Sequence, residues 1–378
     1  MSSLTGSNLN IPPGDNEIEV SVFGPGFGEC ILVHYGNKKW AVLDSCIDVS
    51  NGNPAALTYL NQLDLDLSEC VKLVMATHWH DDHIRGLSQV VRLSPNARFV
   101  CSGSIAKKHF ISLTKAYSRN ILENKKGVEE FDRILEILNE RKILPIIASQ
   151  DKNLHEDNLS VRGESVRVSF FSLSPSDYAI AAAQVQIAKL MELNKEPMRS
   201  LLPLDPNHAS VVVLIEIKDK RILLGSDLQE RRSGKKANEA SGWSVIVNSS
   251  NCARNKKSSV FKIPHHGSEN AHNPDVWTKM LENGVQAVLT PYTRGREGGL
   301  PSAEDVNRIC SLSKNAYTTS IRRAGHLRRD WTVEKTIKES GINIQEAESP
   351  IGHVRLRSKI NETIWKVELF GGANLCSQ

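Results

Sequence analysis

Residues 77–83 concentrate three imidazoles and two carboxylates in one short segment that follows a mostly apolar run. Such a run is typical of a buried strand, and a strand that ends in this cluster presents its side chains at the edge of a sheet. His78 and His80 alternate by two and can point the same way, whereas Asp82 and His83 can turn toward a second point. Imidazole and carboxylate ligands together suit Zn²⁺ or Mn²⁺. The segment therefore predicts a hydrolytic site for two divalent metal ions, because clustered imidazoles are unusual in an ordinary polar turn.

The spacing of histidine and aspartate in residues 78–83 resembles the H-x-H-x-D-H signature of the metallo-β-lactamase superfamily. Three further segments resemble motifs of that family in the same order along the chain. A glycine-rich hairpin over 20–46 resembles the opening hairpin, whose second strand ends in an aspartate. Residues 221–227 resemble the strand that delivers a bridging aspartate. Residues 261–268 resemble the strand and loop that carry the last histidine.

The residues of three segments indicate which branch of the superfamily the chain resembles. Residues 264–268 read Pro-His-His-Gly-Ser, a strand over 207–213 precedes Asp227, and the opening hairpin is rich in glycine. These features are similar to the metallo-β-lactamase domain of bacterial DNA-uptake competence proteins and its stand-alone relatives. Those relatives are thought to be nucleases or phosphodiesterases, so the likeness implies a phosphodiester substrate.

The resemblance also implies a role for each matched residue. His78 and His80 are expected to hold the first metal, and Asp82 and His83 the second. Asp227 is expected to bridge both ions, because a carboxylate at the end of a strand can share its two oxygens. Asp82 or Asp227 is expected to orient the attacking water.

The loop after the last motif strand supplies two adjacent imidazoles. The likeness to the family's Pro-Gly-His-Gly loop implies that His266 is a ligand and that His265 shuttles a proton to the leaving group or touches the substrate. The reverse assignment of the pair stays open. Ser268 is expected either to donate a hydrogen bond to a substrate oxygen or to cap a following helix.

One ligand of the family pattern has no clear counterpart. Most relatives supply a third histidine to the first metal from a Gly-His-Thr-x-Gly-His context, and that context is absent here. His208 is the sole imidazole within 201–209 and is the candidate for this ligand, with an oxygen donor as the alternative. If an oxygen donor replaces it, the first site favours Mn²⁺ or Mg²⁺ over Zn²⁺.

Two carboxylates are expected to stand behind the ligands. Asp44 and Glu29 are placed to accept N–H from metal-bound imidazoles and so to fix their tautomers. For Glu29 a turn carboxylate beside Gly28 is an equal alternative. The glycines of the opening hairpin are interpreted as tight turns and not as a phosphate loop, because no helix follows them.

Charge bears on the substrate through its distribution, since the net charge is only +4. Seven basic residues lie in the segment 231–257, between the aspartate and the histidine of the last two motifs. Arg322 and Arg323 belong to a second basic cluster, and we expect them to contact substrate. Basic side chains around a cleft favour a polyanion, here a nucleic acid or another phosphodiester. Ordinary solvated loops are the alternative for each cluster.

Length and hydrophobic pattern predict the fold. The resemblance implies an α+β, four-layer αββα sandwich, and the 378 residues exceed the roughly 200–250 that such a sandwich needs. We therefore expect a single domain over 1–378 with helical insertions. Residues 105–200 are predicted to form an insertion or cap, and 300–378 the C-terminal part of the sandwich with a basic loop.

Cysteine usage and hydropathy indicate the compartment. Seven cysteines without paired spacing favour reduced thiols in a cytoplasm. No stretch reaches the ~18 apolar residues of a membrane span, and residues 1–17 lack the apolar core of a signal peptide. We expect a cytoplasmic protein with no membrane partner, while a protein partner stays open.

Taken together, these features predict a phosphodiesterase or nuclease that cleaves DNA or RNA with a water activated by two metals, in prokaryotic defence or DNA processing. The alternative is a hydrolase of a small ester, lactone, thioester or cyclic nucleotide. A non-enzymatic metal-binding scaffold fits the nearly complete ligand set less well.

Overall fold

The structure is a computed structural model that describes most of the chain. The described residues are 9–105, 126–193, 206–230, 241–254, 256–293, 299–320 and 350–376, with the short strands 232–233 and 236–237 and the isolated positions 332, 336 and 340.

Two eight-stranded sheets form the centre of the molecule. The first sheet contains, in spatial order, β17 (Lys366–Phe370), β16 (Gly352–Lys359), β1 (Glu17–Gly24), β2 (Cys30–His34), β3 (Trp40–Leu43), β4 (Val71–Ala76), β5 (Arg98–Ser102) and β6 (Ile146–Ala148). The second contains β18 (Asn374–Leu375), β15 (Ala316–Thr318), β14 (Leu281–Leu289), β13 (Ser258–Lys262), β10 (Lys220–Leu224), β9 (Val213–Ile217), β8 (Glu164–Ser172) and β7 (Lys152–Val161). A separate hairpin joins β11 (Arg232–Ser233) to β12 (Lys236–Ala237).

Helices connect the strands. They are α1 (Ala55–Gln62), α2 (Leu67–Cys70), α3 (Asp81–Ile84), α4 (Leu87–Leu93), α5 (Lys126–Glu140), α6 (Asp177–Leu193), α7 (Trp243–Ser249) and α8 (Ala303–Leu312). Short 3₁₀ turns span Pro206–Ala209, His265–Gly267 and Glu269–Ala271, and a π-helical turn spans Val276–Met280. None of the helices in the described part is both long and apolar enough to cross a bilayer.

Three apolar clusters show how the layers stack. One cluster packs α1, α2, α4 and α5 on the outer face of the first sheet. A second lies between the two sheets, and a third packs α7 and α8 on the outer face of the second sheet. Strands such as β2 are buried on both faces, which explains why they read as continuous apolar runs. The predicted four-layer αββα sandwich is confirmed.

The region 105–200 contributes to the sandwich itself. Phe131 and Ile134 of α5 pack in the outer cluster of the first sheet, while β6 extends that sheet and β7 and β8 extend the second. Residues 106–125 and 194–205 lie outside the described residues. A cap over the cleft from this region stays a prediction. The C-terminal strands β15 to β18 enter both sheets.

Parallel pairing brings the motif residues to one edge. β3 pairs parallel with β4, and β10 pairs parallel with β13. Because parallel strands end at the same edge of a sheet, the loops that follow these four strands lie side by side. These loops carry Asp44, the 77–83 segment, Asp227 and His266.

Candidate metal centre

Four buried side chains from three loops form what we call the inner group. Its members are Asp82, His83, Asp227 and His266, and one ligand atom of each lies within 4.8 Å of the others. His83 Nε2 is 3.2 Å from Asp227 Oδ2, and His266 Nε2 is 3.2 Å from Asp82 Oδ2. The group therefore matches the predicted second metal site, with the bridging aspartate and the last histidine added.

A second set, the outer group, consists of His78, His80 and Asp227. His78 Nε2 lies 3.2 Å from His80 Nδ1 and 3.9 Å from Asp227 Oδ2. His78 and Asp227 are buried and His80 is half-buried, so His80 is the member of this group that reaches solvent. Asp227 belongs to both groups, which is the position that a bridging carboxylate requires.

Asp44 lies beside the inner group, and its predicted role behind the metal ligands stays a prediction. Its Oδ2 lies 2.8 Å from His83 Nδ1, and Thr77 donates to the same carboxylate from its backbone N and its hydroxyl. Ser226 Oγ in turn donates to Thr77 Oγ1 at 2.7 Å. Because a carboxylate accepts the proton on Nδ1, His83 is left with Nε2 facing the inner group.

Glu29 is fully buried and touches the centre in two ways. Its Oε1 lies 3.8 Å from His83 Nδ1, and its backbone N donates to Asp82 O at 2.9 Å. Its Oε2 accepts from Lys262 Nζ at 2.6 Å and from Thr290 Oγ1 at 2.7 Å. Sequence reasoning did not identify Lys262 or Thr290. The available signal was a lysine within the otherwise apolar run over 260–263.

The two adjacent histidines of the last motif take different positions. His266 is buried, and its Nδ1 donates to the Thr290 carbonyl oxygen at 2.8 Å, so its Nε2 faces the inner group. His265 is half-exposed and belongs neither to the inner or outer group nor to a third set, Asp44, His78 and His83, whose ligand atoms also lie close together among the described residues. Its Nδ1 lies 2.7 Å from Asn270 Oδ1, and its Nε2 lies 3.4 Å from the Gln229 side-chain nitrogen.

A reversal of the chain makes this divergence possible. His265 and His266 have left-handed φ values of 45° and 53°, and Gly267 follows at 82°. Left-handed conformations cost a non-glycine residue of the order of 1 kcal/mol or more. Backbone bonds from His265 N to Ser226 O and from Gly267 N to Pro264 O hold the turn. The loop thus keeps one ring buried while the next stays accessible.

Charge in the centre is balanced internally. Burial alone would lower the pKa of His83, but Asp227, Glu29 and Asp82 raise it well above its ordinary value. Burial likewise opposes protonation of His266, yet Asp227 and Asp82 raise its pKa to about 10. Burial would raise the pKa values of Asp82 and Asp227, and the neighbouring imidazoles lower both. The site thus demands positive charge among its carboxylates, which protons or divalent ions can supply.

The donor atoms fit a metal ion. His83 Nε2 and Asp227 Oδ1 are buried and have no hydrogen-bond partner in the described part of the chain. Buried polar atoms normally find partners, because leaving them unpaired costs of order 1–3 kcal/mol each. Imidazole nitrogens and carboxylate oxygens at such spacing suit Zn²⁺ or Mn²⁺. The residues therefore could hold two divalent ions, and the kind of ion stays a prediction.

Two aromatic rings border the inner group. The ring of Tyr292 lies 5.3 Å from that of His266, and the ring of Phe27 lies 5.5 Å from that of Tyr292. Both side chains are half-exposed. Thr293 donates to Gly26 O from its backbone N and from its hydroxyl, each at 2.7 Å, so the two loops are fastened together. We call Phe27 and Tyr292 the aromatic wall.

The remaining predicted site residues lie apart from the ligand groups or outside the description. His208 is half-buried in the turn Pro206–Ala209 and belongs to none of the three groups, so its role as a ligand stays a prediction. Ser268 is half-buried, and its backbone N donates to His265 O. Arg322 and Arg323 lie outside the described residues.

Part of the basic segment 231–257 is far from the centre. Arg254, Lys256 and Lys257 are exposed and precede β13, whose other end leads to His266. Lys257 Nζ donates to Thr278 O there. The expectation that these three residues surround the cleft is therefore wrong. They lie at the opposite edge because β13 must start there to run parallel to β10.

A match to a protein-family model shows which family the chain belongs to. The model described as the metallo-β-lactamase superfamily matches residues 23–273, which is more than half of the chain and includes every member of both ligand groups. The chain belongs to the metallo-β-lactamase superfamily. The superfamily resemblance is thereby confirmed, while the likeness to the competence-protein branch stays a prediction. No curated protein matched the chain.

Solved structures are similar to this chain at low identity. A motif mutant of a metallo-β-lactamase from Cronobacter sakazakii is 12% identical, with 66% of this chain and 77% of that chain covered and a TM-score of 0.33. Rm3 metallo-β-lactamase is 12% identical, with 74% of this chain and 88% of that chain covered and a TM-score of 0.31. A flavodiiron core from Synechocystis sp. PCC6803 is 13% identical, with 60% and 43% covered and a TM-score of 0.25. Likenesses at these scores carry no argument about substrate.

Proposed function

We propose that this superfamily member is a metal-dependent phosphodiesterase that cleaves DNA or RNA. The observation that carries the proposal is the pair His265 and His266, in which a buried imidazole of the inner group is followed by a half-exposed one. Hydrolysis of a phosphodiester needs an acceptor for the proton of water and a donor for the leaving alkoxide. The inner group supports the first need and His265 the second.

When bound, two divalent ions lower the pKa of water and stabilise negative charge on the attacked group. The protein's own residues prepare the site for this. Asp227 joins the two groups, and Asp44 fixes the tautomer of His83. His266 is held in the same way by the Thr290 carbonyl oxygen. The ligands are therefore oriented before substrate arrives, which is what efficient hydrolysis requires.

His265 is suited to proton transfer at the leaving group. Asn270 restrains its ring through Nδ1, while Nε2 lies toward Gln229 at a long distance. A group held within reach of a cleft and half-exposed can exchange its proton with solvent between turnovers. General acid catalysis by such an imidazole contributes about 10²–10⁴-fold.

The aromatic wall is compatible with two classes of substrate, a nucleic acid and a small apolar compound. Half-exposed rings beside the inner group can stack on a nucleobase, and each stacked base contributes about 1–3 kcal/mol. The same rings can pack against the apolar part of a small ester, lactone, thioester or cyclic nucleotide. A hydrolase of such compounds is therefore the alternative function.

A substrate panel distinguishes the two. Plasmid, single-stranded DNA and RNA are incubated with the protein and Mn²⁺, Mg²⁺ or Zn²⁺, and with chelator as the blank. We expect cleavage that is lost with chelator and in Asp82→Ala and His83→Ala. Turnover of acyl esters or p-nitrophenyl phosphodiesters with intact polynucleotides would favour the alternative. The absence of metal-dependent hydrolysis on every substrate would contradict both.

A further inference from the structure

A buried ion pair lies directly behind the inner group. Lys262 is 1% exposed along its side chain and Glu29 is fully buried, with 2.6 Å between Nζ and Oε2. The lysine comes from β13 in the second sheet, whereas the glutamate immediately precedes β2 in the first. Nζ also donates to the Ile263 carbonyl oxygen at 2.9 Å. Two charges are thus enclosed where the two sheets meet below the ligands.

Such a pair is not explained by stability alone. Removing two charges from water is costly, and apolar residues of similar volume often stabilise a core equally well. A role in orienting neighbouring groups is the better-supported use of a buried pair at a functional site. The contacts of Glu29 show which groups these are.

Glu29 connects to three of the four members of the inner group. Its backbone N donates to Asp82 O, and its Oε1 lies 3.8 Å from His83 Nδ1. Its Oε2 accepts from Thr290, whose carbonyl oxygen holds His266 Nδ1. The described contacts of Glu29 do not include His78 of the outer group, whose Nδ1 lies 3.1 Å from Thr77 Oγ1.

The two oxygens of Glu29 are used differently. Lys262 and Thr290 both donate to Oε2, while Oε1 is buried and has no hydrogen-bond partner in the part of the chain that the structure describes. Asp44 accepts the Nδ1 proton of His83 at 2.8 Å, and Glu29 Oε1 lies 3.8 Å from the same atom. A glutamate released from Lys262 would therefore be close enough to compete with Asp44 for His83.

We propose that Lys262 is a positioning residue of the metal centre, which acts by holding Glu29 away from His83 so that Asp44 alone orients this ligand. The inference rests on the proposed metal centre and deepens it. Lys262 is thus expected to affect metal binding at the inner group and not at the outer group. Loss of the lysine should therefore weaken one of two bound metal ions and spare the other.

The test is a metal titration of the full chain with Zn²⁺ against a competing chelator. Lys262→Met should weaken one of two sites by about 10- to 100-fold, the usual effect of losing an outer contact of a metal ligand. The matched control is Lys220→Met, since Lys220 is also buried but donates to the Glu362 carbonyl oxygen and faces Trp365. The control should bind both ions as the wild type does.

A double-mutant cycle tests the route through Glu29. If Lys262 acts on Glu29, Lys262→Met should change Zn²⁺ affinity strongly in the wild type and little in the Glu29→Gln background. Glu29→Gln with Lys262→Met leaves no lone charge in the core, so this pair keeps the cycle measurable. Independent, multiplying effects would overturn the proposal, as would unchanged affinity in Lys262→Met.

Two further measurements cover folding and coordination. Where Lys262→Met does not fold, Lys262→Gln decides, because the amide fills similar space but removes the ammonium that holds Glu29 Oε2; wild-type affinity there overturns the proposal. The absorption bands of bound Co²⁺ should shift in Lys262→Met and stay unchanged in Lys220→Met. A wild type that binds no metal would defeat the proposed function together with this inference, whereas two tight sites in every variant would defeat this inference alone.

Discussion

His83 donates from Nδ1 to Asp44 Oδ2 at 2.8 Å, and its Nε2 consequently faces the carboxylates of Asp82 and Asp227. The two residues come from different loops, which follow the parallel strands β3 and β4. Thr77 fixes the carboxylate with two hydrogen bonds of its own. The tautomer of a ligand is thus set before any ion binds.

Asp44→Asn is expected to weaken metal binding at the inner group by about 10- to 100-fold, because the amide can no longer accept the His83 proton as a carboxylate does. Zn²⁺ titration measures the change. Asp48→Asn is the matched control, since Asp48 is also buried but accepts from Ser50 and Asn51. Equal affinity in both variants would show that Asp44 does not orient a ligand.

His265→Ala is expected to lower kcat on a dinucleotide by about 10²–10⁴-fold while both metal ions stay bound. The loss should be much smaller on bis(p-nitrophenyl) phosphate, because p-nitrophenolate leaves without a proton. Steady-state kinetics on the two substrates measure the difference. His272→Ala, which changes another imidazole of the same region, should leave both rates unchanged. An equal loss on both substrates would exclude a proton donor at His265.

Tyr292→Ala is expected to raise KM for a dinucleotide by about 5- to 100-fold, as expected from loss of one stacking contact of about 1–3 kcal/mol. A kcat and a metal content equal to those of the wild type would show that the metal centre is intact. A methyl phosphodiester, which has no ring to stack, should not distinguish the variant from the wild type. Tyr178→Ala serves as the control at an exposed tyrosine on α6. A uniform rise of KM on all substrates would argue against stacking.

His34 predicts how stability depends on pH. Burial lowers its pKa from the ordinary value of 6.5 to about 3. As the pH falls from 6.5 toward 3, the unfolded chain binds a proton that the folded chain refuses, so the free energy of unfolding decreases by about 1.4 kcal/mol per pH unit.

This contribution is present above pH 6.5 and is lost on acidification. His34→Leu should therefore remove about 1.4 kcal/mol per unit of the pH dependence in that window, while stability near neutral pH changes little. Urea unfolding of both proteins across the window gives the slopes. Parallel curves would show that His34 does not titrate as its burial requires.

The grouping of the candidate ligands could be predicted from the sequence because they follow the ends of apolar strands, while their binding of metal stays a prediction. The strand ends place 77–83, Asp227 and His266 at one edge, and the family motif orders them. The support behind the ligands could not be predicted, because Lys262 and Thr290 are recognised only by their contacts across the two sheets.

The basic segment shows a second limit. Residues 228–257 join two motif loops, and this suggested that their charges border the cleft. Parallel strands require the connection to cross to the opposite edge before β13 begins, so Lys256 and Lys257 lie far from His266. Sequence separation from a ligand therefore does not measure distance from the site.

The inner and outer groups are proposed to bind two divalent ions, with Asp227 shared between them. The most direct test is metal analysis of the purified protein together with Zn²⁺ and Mn²⁺ titration of the wild type and Asp227→Ala. We predict two ions per chain in the wild type and weaker binding of both in the variant, because a bridging carboxylate serves each site. Less than one ion per wild-type chain under saturating metal would show that the two groups do not form a metal centre.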